Sequence, residues 1–88
     1  EDSLLGVKYH HERPDGLGYP EGLKGKDIPL IASIISVADS YDAMTTDRPY
    51  RSALCRQEAI KEIKQLSNRQ FSSLVTDVFL ELCQEGVI

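Results

Sequence analysis

Between Arg13 and Asp27 stand Pro14, Gly16, Gly18, Pro20, Gly22 and Gly25, four of the chain's six glycines and two of its four prolines. Glycine admits backbone turns that other residues resist, and proline removes a hydrogen-bond donor, so neither a helix nor a strand can run through this stretch. The chain must therefore fold as ordered segments on either side of a loop that turns repeatedly. Directly before that loop come His10, His11 and Glu12, and at its middle sits Tyr19. An ordinary apolar core has no use for two adjacent imidazoles and an acid, and the combination points to part of a metal site.

The flanking segments carry helical patterns, and no segment alternates as a strand would. Leu4, Val7 and His11 fall on one stripe at i, i+3 and i+7, with His10 three residues beyond Val7, so the histidines continue what reads as an inward face of a first helix capped by Asp2 or Ser3. Pro29 suits the first turn of a second helix, capped by Asp27 or Ile28 and running to about residue 46. That helix is apolar almost all round, through Leu30, Ile31, Ile34, Ile35, Val37 and Tyr41, as a buried element would be. A third helix is expected over about residues 57–66, with Ala59, Ile60 and Ile63 facing inward. A fourth follows a Ser72 cap, with Leu74, Val75, Val78, Phe79 and Leu82 at helical spacing until Gly86 ends it. The last two read as packing helices without chemistry of their own.

Composition narrows the function classes. A net charge of −4 and a pI near 5.0 argue against broad nonspecific binding to a nucleic acid polymer. The longest apolar stretch, Leu30 to Ala38, is interrupted by serines and falls far short of the roughly 20 residues a membrane span needs, so no membrane contact is expected of this segment. Cys55 and Cys83 have neither metal-motif spacing nor the numbers for a disulfide framework; two reduced thiols in a cytoplasmic protein are the plain reading.

Asp39 and Asp42 lie three residues apart near the end of the second helix, on one face. A buried carboxylate without a partner costs several kcal/mol, so these two would need cations or donors. Together with imidazole, carboxylate suits iron, manganese or zinc better than calcium or magnesium, which prefer oxygen alone. Successive helix positions diverge by roughly 100°, so His10 and His11 could address different ions. The alternative is that the histidines close a helix end and Asp39 pairs with Arg48. Arg48 and Arg51 bracket Pro49-Tyr50 just past that helix, and planar guanidinium forks match phosphate oxygens. Either they hold a phosphate, or they serve the helix C-terminus or Asp47. Glu12 either orients a histidine or binds the loop backbone, and Tyr19 either stacks near a ligand or packs within the loop.

The run His10-His11-Glu12-Arg13-Pro14-Asp15-Gly16-Leu17-Gly18-Tyr19-Pro20, then Gly22, Gly25 and Ile28-Pro29, then Val37-Ala38-Asp39-Ser40-Tyr41-Asp42-Ala43 and Arg48-Pro49-Tyr50-Arg51, resembles the HD-GYP family of bacterial metal-dependent phosphohydrolases. The match runs in order from about Leu4 to Arg51 and is highly specific. It implies an all-α fold, part of an HD-type helical bundle of about four helices with a glycine- and proline-rich loop. The His-Asp doublet that helps name the family lies upstream of this run, and both histidines of the chain are already used. The chain also opens on Glu1, with its sole methionine at Met44. Residues 1–88 are thus expected to be the C-terminal half of an HD-GYP domain, an excerpt of a longer protein and inactive alone.

By this resemblance His10, His11 and Asp39 are ligands of a cluster of two or three divalent metal ions, iron or manganese, completed from the other half. Asp42 lies beside the cluster and supports a ligand or catalytic group, unless it merely caps the next turn. Arg48, Arg51 and Tyr19 bind substrate. The implied activity is a hydrolase of bacterial signal transduction, a phosphodiesterase opening cyclic di-GMP to pGpG and onward to GMP by in-line attack of a metal-activated water. The general acid, a lysine in the family, belongs to the absent half. A second reading is a catalytically inactive module that binds cyclic di-GMP or a protein. The family's Gly-Tyr-Pro loop, here Gly18-Tyr19-Pro20, is associated with docking onto diguanylate cyclase (GGDEF-type) domains. Two departures stand out: Ser33 occupies a position usually held by arginine, which could remove a buried ion pair, and Ser72-Ser73 replaces Asp-Pro, which still leaves a helix cap.

Overall fold

The computed structural model describes residues 2–87 as four α-helices, α1 (Asp2–Tyr9), α2 (Leu30–Thr45), α3 (Arg56–Gln65) and α4 (Ser73–Gln84), with a single 3-10 turn at Gly25–Asp27. No strand occurs among the described residues, only isolated bridges. The all-α expectation holds, and so does the loop between the first two helices.

The helix ends follow local chemistry. The Ser72 hydroxyl accepts the Val75 N–H at 3.4 Å, so the serine that replaces aspartate does cap α4. Gly86, at φ 78°, ends that helix: its N–H reaches the Cys83 carbonyl, and the Val87 N–H reaches Leu82. At the start of α3 the Glu58 carboxylate turns back to the Cys55 N–H at 3.3 Å. The start of α2 differs from expectation, because Pro29 is itself the cap residue and Asp27 belongs to the 3-10 turn before it. Asp2 and Ser3, expected to cap α1, belong to the helix, and their side chains lie outside the described part of the chain.

Val37 of α2, Ile63 of α3, Phe71 of the α3–α4 connection, and Phe79 and Cys83 of α4 form the buried core, with Tyr41 edge-on to Phe79 at 5.2 Å. Asn68 takes a left-handed conformation, φ 64°, to reverse the chain ahead of Phe71, a geometry asparagine tolerates better than most residues. Helix α1 joins through Gly6. A Cβ there would lie 2.6 Å from the Ile35 Cδ1, so α1 rests on α2 with its backbone nearly in contact.

Two expectations about faces are overturned. Leu4 and Val7 do not point inward; Val7 is 67% exposed, and the face of α1 that packs is the one carrying Gly6. Nor is α2 buried all round: Ala32 and Val37 are enclosed, whereas Leu30 and Ile34 are open. Periodicity defines a stripe but not which neighbour covers it. The open residues form one wall of a groove of about 560 Å³, with Leu74 and Val78 of α4 on the other side and Val37 and Phe79 beneath. Next to it, Ser33 and Ser72, two positions that depart from the family pattern, line one and the same cavity of about 360 Å³, which shares Leu30 and Leu74 with the groove.

Candidate metal centre

Helix α1 stops at Tyr9, and the Glu12 N–H returns to the Tyr9 carbonyl at 3.0 Å, so His10 and His11 sit in the turn that leads into the loop. That loop is held from several sides. The Glu12 carboxylate is 3% exposed and accepts the N–H of Glu21 at 2.7 Å and of Leu23 at 2.8 Å. Gly18 passes against the backbone of the turn, where a Cβ would lie 2.6 Å from the Glu12 Cα and the Arg13 nitrogen. Glu21 in turn accepts the Tyr9 hydroxyl at 2.8 Å and lies 3.6 Å from the Lys8 ammonium. Tyr9, and with it Glu21, holds Lys8 above its ordinary basicity.

Asp15 completes the loop's own network. Its carboxylate takes both nitrogens of the Arg13 fork, at 2.8 and 3.2 Å, and the Leu17 N–H at 3.0 Å. Partial burial works against its ionisation, but the Leu17 N–H and the Arg13 guanidinium outweigh that and hold its pKa below the ordinary value. The Asp15 N–H bonds to the Arg69 carbonyl, which ties the loop to the α3–α4 connection.

Against this loop the structure brings His10, His11, Asp39 and Tyr19 into one array. The His10 Nδ1 lies 2.8 Å from the Val7 carbonyl, so in the neutral ring that nitrogen carries the proton and Nε2 keeps its lone pair. That Nε2 is 3.7 Å from the Asp39 Oδ2. As an ion pair at the surface such a contact contributes little, about 0–1 kcal/mol. As a donor pair it is apt, because two ligands each about 2.1 Å from an ion can stand up to about 4.2 Å apart. The rings of His10 and His11 approach to 4.0 Å at 40°, and His11 stacks on Tyr19 at 4.9 Å and 15°. The expected divergence of the two histidines does not occur, since they lie beyond the helix and turn toward each other. The burial argument for the acids also fails: the Asp39 side chain is 67% exposed, and Asp42 is exposed as well.

A cleft of about 410 Å³ opens over this array, lined by His10, His11, Gly18, Tyr19 and Asp39 among others. Asp42, Pro20, Arg48 and Arg51 do not line it. Arg51 instead donates to the Ala43 carbonyl at 2.8 Å and to the Ser52 carbonyl at 3.3 Å, so it serves the C-terminus of α2. Arg48 and Arg51 exchange two backbone hydrogen bonds across Pro49-Tyr50, which makes the turn tight. The Asp47 carboxylate accepts the Ala53 N–H at 2.7 Å and pairs with neither arginine. Four polar lining residues were not singled out from the sequence: Arg13, Ser36, Ser40 and Gln70. Ser36 could have been found, because it stands three residues before Asp39, on its side of the helix. Gln70 could not, since only the path of the α3–α4 connection delivers it. Among the described residues no group of three or more donors converges, so His10, Asp39 and their neighbour His11 fit a metal as part of a set that needs further ligands.

Comparison with known proteins gives the chain's family and fold. Residues 2–73 match the family described as HD domain. A cyclic di-GMP phosphodiesterase of Thermotoga maritima is 49% identical over 76 residues, which is 86% of this chain and 21% of that protein. A 3'3'-cGAMP-specific phosphodiesterase of Vibrio cholerae is 40% identical over 77 residues, 86% of this chain and 18% of that protein. Among solved structures, a cyclic GMP-AMP specific phosphodiesterase of V. cholerae superposes with a TM-score of 0.80 at 27% identity, covering 96% of this chain and 19% of that one. The chain thus spans about a fifth of the length of these relatives.

Proposed function

The chain belongs to the HD domain family, in its HD-GYP branch, and from that membership we propose that it forms the C-terminal half of a metal-dependent phosphodiesterase acting on cyclic di-GMP. HD-domain phosphohydrolases are metal-dependent. His10, His11 and Asp39 would hold divalent ions, iron or manganese, two or three in number when the donors outside this segment are added. Once bound, such ions supply Lewis acidity that lowers the pKa of a water and offsets charge on the phosphoryl oxygens. The observation that carries the reading is the 3.7 Å approach of the His10 Nε2 to the Asp39 Oδ2, while the Val7 carbonyl fixes the tautomer that leaves this nitrogen free to ligate. Two side chains far apart in sequence are brought to donor spacing on the wall of one cleft.

The chain's other residues orient and bind. Asp42, one turn along α2 from Asp39, supports a ligand or catalytic group beside the cluster in the intact domain. Tyr19, stacked on His11 yet 61% exposed, presents a ring edge to the cleft and can meet a guanine base or a phosphate. Arg48 and Arg51 clamp the phosphates in the intact domain. For Arg51 this role competes with its bonds to the α2 carbonyls, so its loss would also loosen that helix end. A second role is favoured by the same exposure of Tyr19 and of Pro20: the Gly18-Tyr19-Pro20 corner projects as a firm apolar tip suited to docking a diguanylate cyclase domain in the cytoplasm.

In the full-length protein, His10→Ala, His11→Ala and Asp39→Ala should each lower bound metal and abolish cyclic di-GMP turnover together, with circular dichroism confirming that the variants remain folded. Undiminished metal in all three by elemental analysis would overturn the assignment. In the same series Arg48→Ala should keep its metal while cyclic di-GMP affinity falls about ten- to a hundredfold, the worth of a charge-assisted bond of about 1.5–3 kcal/mol.

A further inference from the structure

Glu12 is the one buried carboxylate among the described residues, and no basic side chain pairs with it there. A carboxylate removed from water without a cation is costly unless strong donors meet it. Glu12 is met by two, the backbone N–H groups of Glu21 and Leu23, one on each oxygen. Both belong to the far limb of the loop, nine and eleven residues along the chain. Pulling that limb against the turn presses the near limb inward as well: Gly18 lies against the backbone of His11, Glu12 and Arg13, and the Tyr19 N–H reaches the His11 carbonyl at 3.3 Å. The result is a Tyr19 ring laid nearly parallel on the His11 imidazole at 4.9 Å.

The histidine itself has few other restraints. It is exposed, and among the described residues its ring packs only on His10 and Tyr19; no hydrogen bond there to a backbone carbonyl fixes it as one fixes His10. We propose that Glu12 is a positioning residue, and that by clamping Glu21 and Leu23 it holds Tyr19 on the His11 ring and so sets the direction in which that imidazole offers its nitrogen. This rests on the reading of His11 as a metal ligand. In many metal sites a carboxylate fixes a histidine by direct hydrogen bonding; here the carboxylate acts through a loop and a stacked ring.

Glu12→Gln is the mild test, because the amide keeps the size but turns an NH2 group toward one of two N–H donors, so one bond is lost. In the full-length protein Glu12→Gln should weaken manganese binding about tenfold or more. It should also remove the upfield ring-current shift that Tyr19 imposes on the His11 ring protons in metal-free NMR spectra. Tyr19→Leu, which leaves Glu12 untouched, should weaken manganese binding by a similar factor. The double variant should be no weaker than either, since two residues acting through one contact do not add. Glu12→Gln with an unaltered His11 shift and unaltered manganese affinity would overturn the proposal, as would additive losses in the double variant. If Glu12→Gln does not fold, Tyr19→Leu decides alone, and full manganese affinity there would overturn it. His11→Ala separates the two readings: if it binds manganese as tightly as the wild type, the metal assignment of His11 is what has failed, while the His11 shift in Glu12→Gln still judges the clamp.

Discussion

The loop from Glu12 to Gly25 and the groove between α2 and α4 differ in how far this chain completes them. The loop is polar and irregular, yet its buried carboxylate has two donors, Asp15 has three, and its ends are tied to α1 and to the α3–α4 connection. The groove is made of regular helices, α2 and α4, yet it leaves Leu30, Ile34, Leu74 and Val78 open. Irregular backbone can be made firm by a few short-range hydrogen bonds, whereas an apolar face can be closed only by another surface. The loop side of the segment is accordingly held by its own residues, and the groove side is not closed by them.

Four substitutions would break or sharpen that contrast. The largest effect is expected in the loop. Gly18→Ala places a methyl group against the backbone of Glu12 and Arg13, which cannot move without releasing the Glu12 clamp, and should cost about 1–3 kcal/mol as overpacking does. Urea denaturation reads it, and a loss under about 0.3 kcal/mol would mean the loop is not held as tightly as its geometry indicates. In the groove, Leu74→Ser and Val78→Ser remove side chains that are 65% and 51% exposed, so in this 88-residue chain each should change stability by no more than about 0.5 kcal/mol. A cost well above 1 kcal/mol would show that this face is covered in solution.

The smallest effect concerns acid. The folded-state pKa of Asp15 is depressed below its ordinary 3.8, so its ionised form favours the fold. That contribution is fully present above about 3.8 and is lost as pH falls through the lower folded value. Thermal unfolding of the wild type and of Asp15→Asn should therefore differ at neutral pH and converge as pH drops below that point. A gap that widens toward low pH would reverse the sign and remove the Arg13–Asp15 fork from the list of restraints on the loop.

Much of the fold and part of the site could be read from residues alone. The approximate spans of α3 and α4, the Ser72 cap, the Gly86 stop and the turning loop depend on a few neighbouring residues, and the matching motifs marked His10, His11, Asp39 and Tyr19 as a group. What local chemistry could not decide was orientation. The stripe of Leu4 and Val7 looked inward, but Gly6 lets α1 approach α2 more closely than any side chain would, and that approach turns the stripe outward. The clamp on Glu12 likewise required the far limb of the loop to return, and the donor spacing of His10 and Asp39 required α1 to cross α2 at one height. A sequence specifies such elements through contacts within a turn or two, because those are independent of the rest of the chain. Which faces meet depends on how whole elements pack, and here only the tertiary structure decided that His11 would lie under Tyr19 and that Arg51 would serve a helix end.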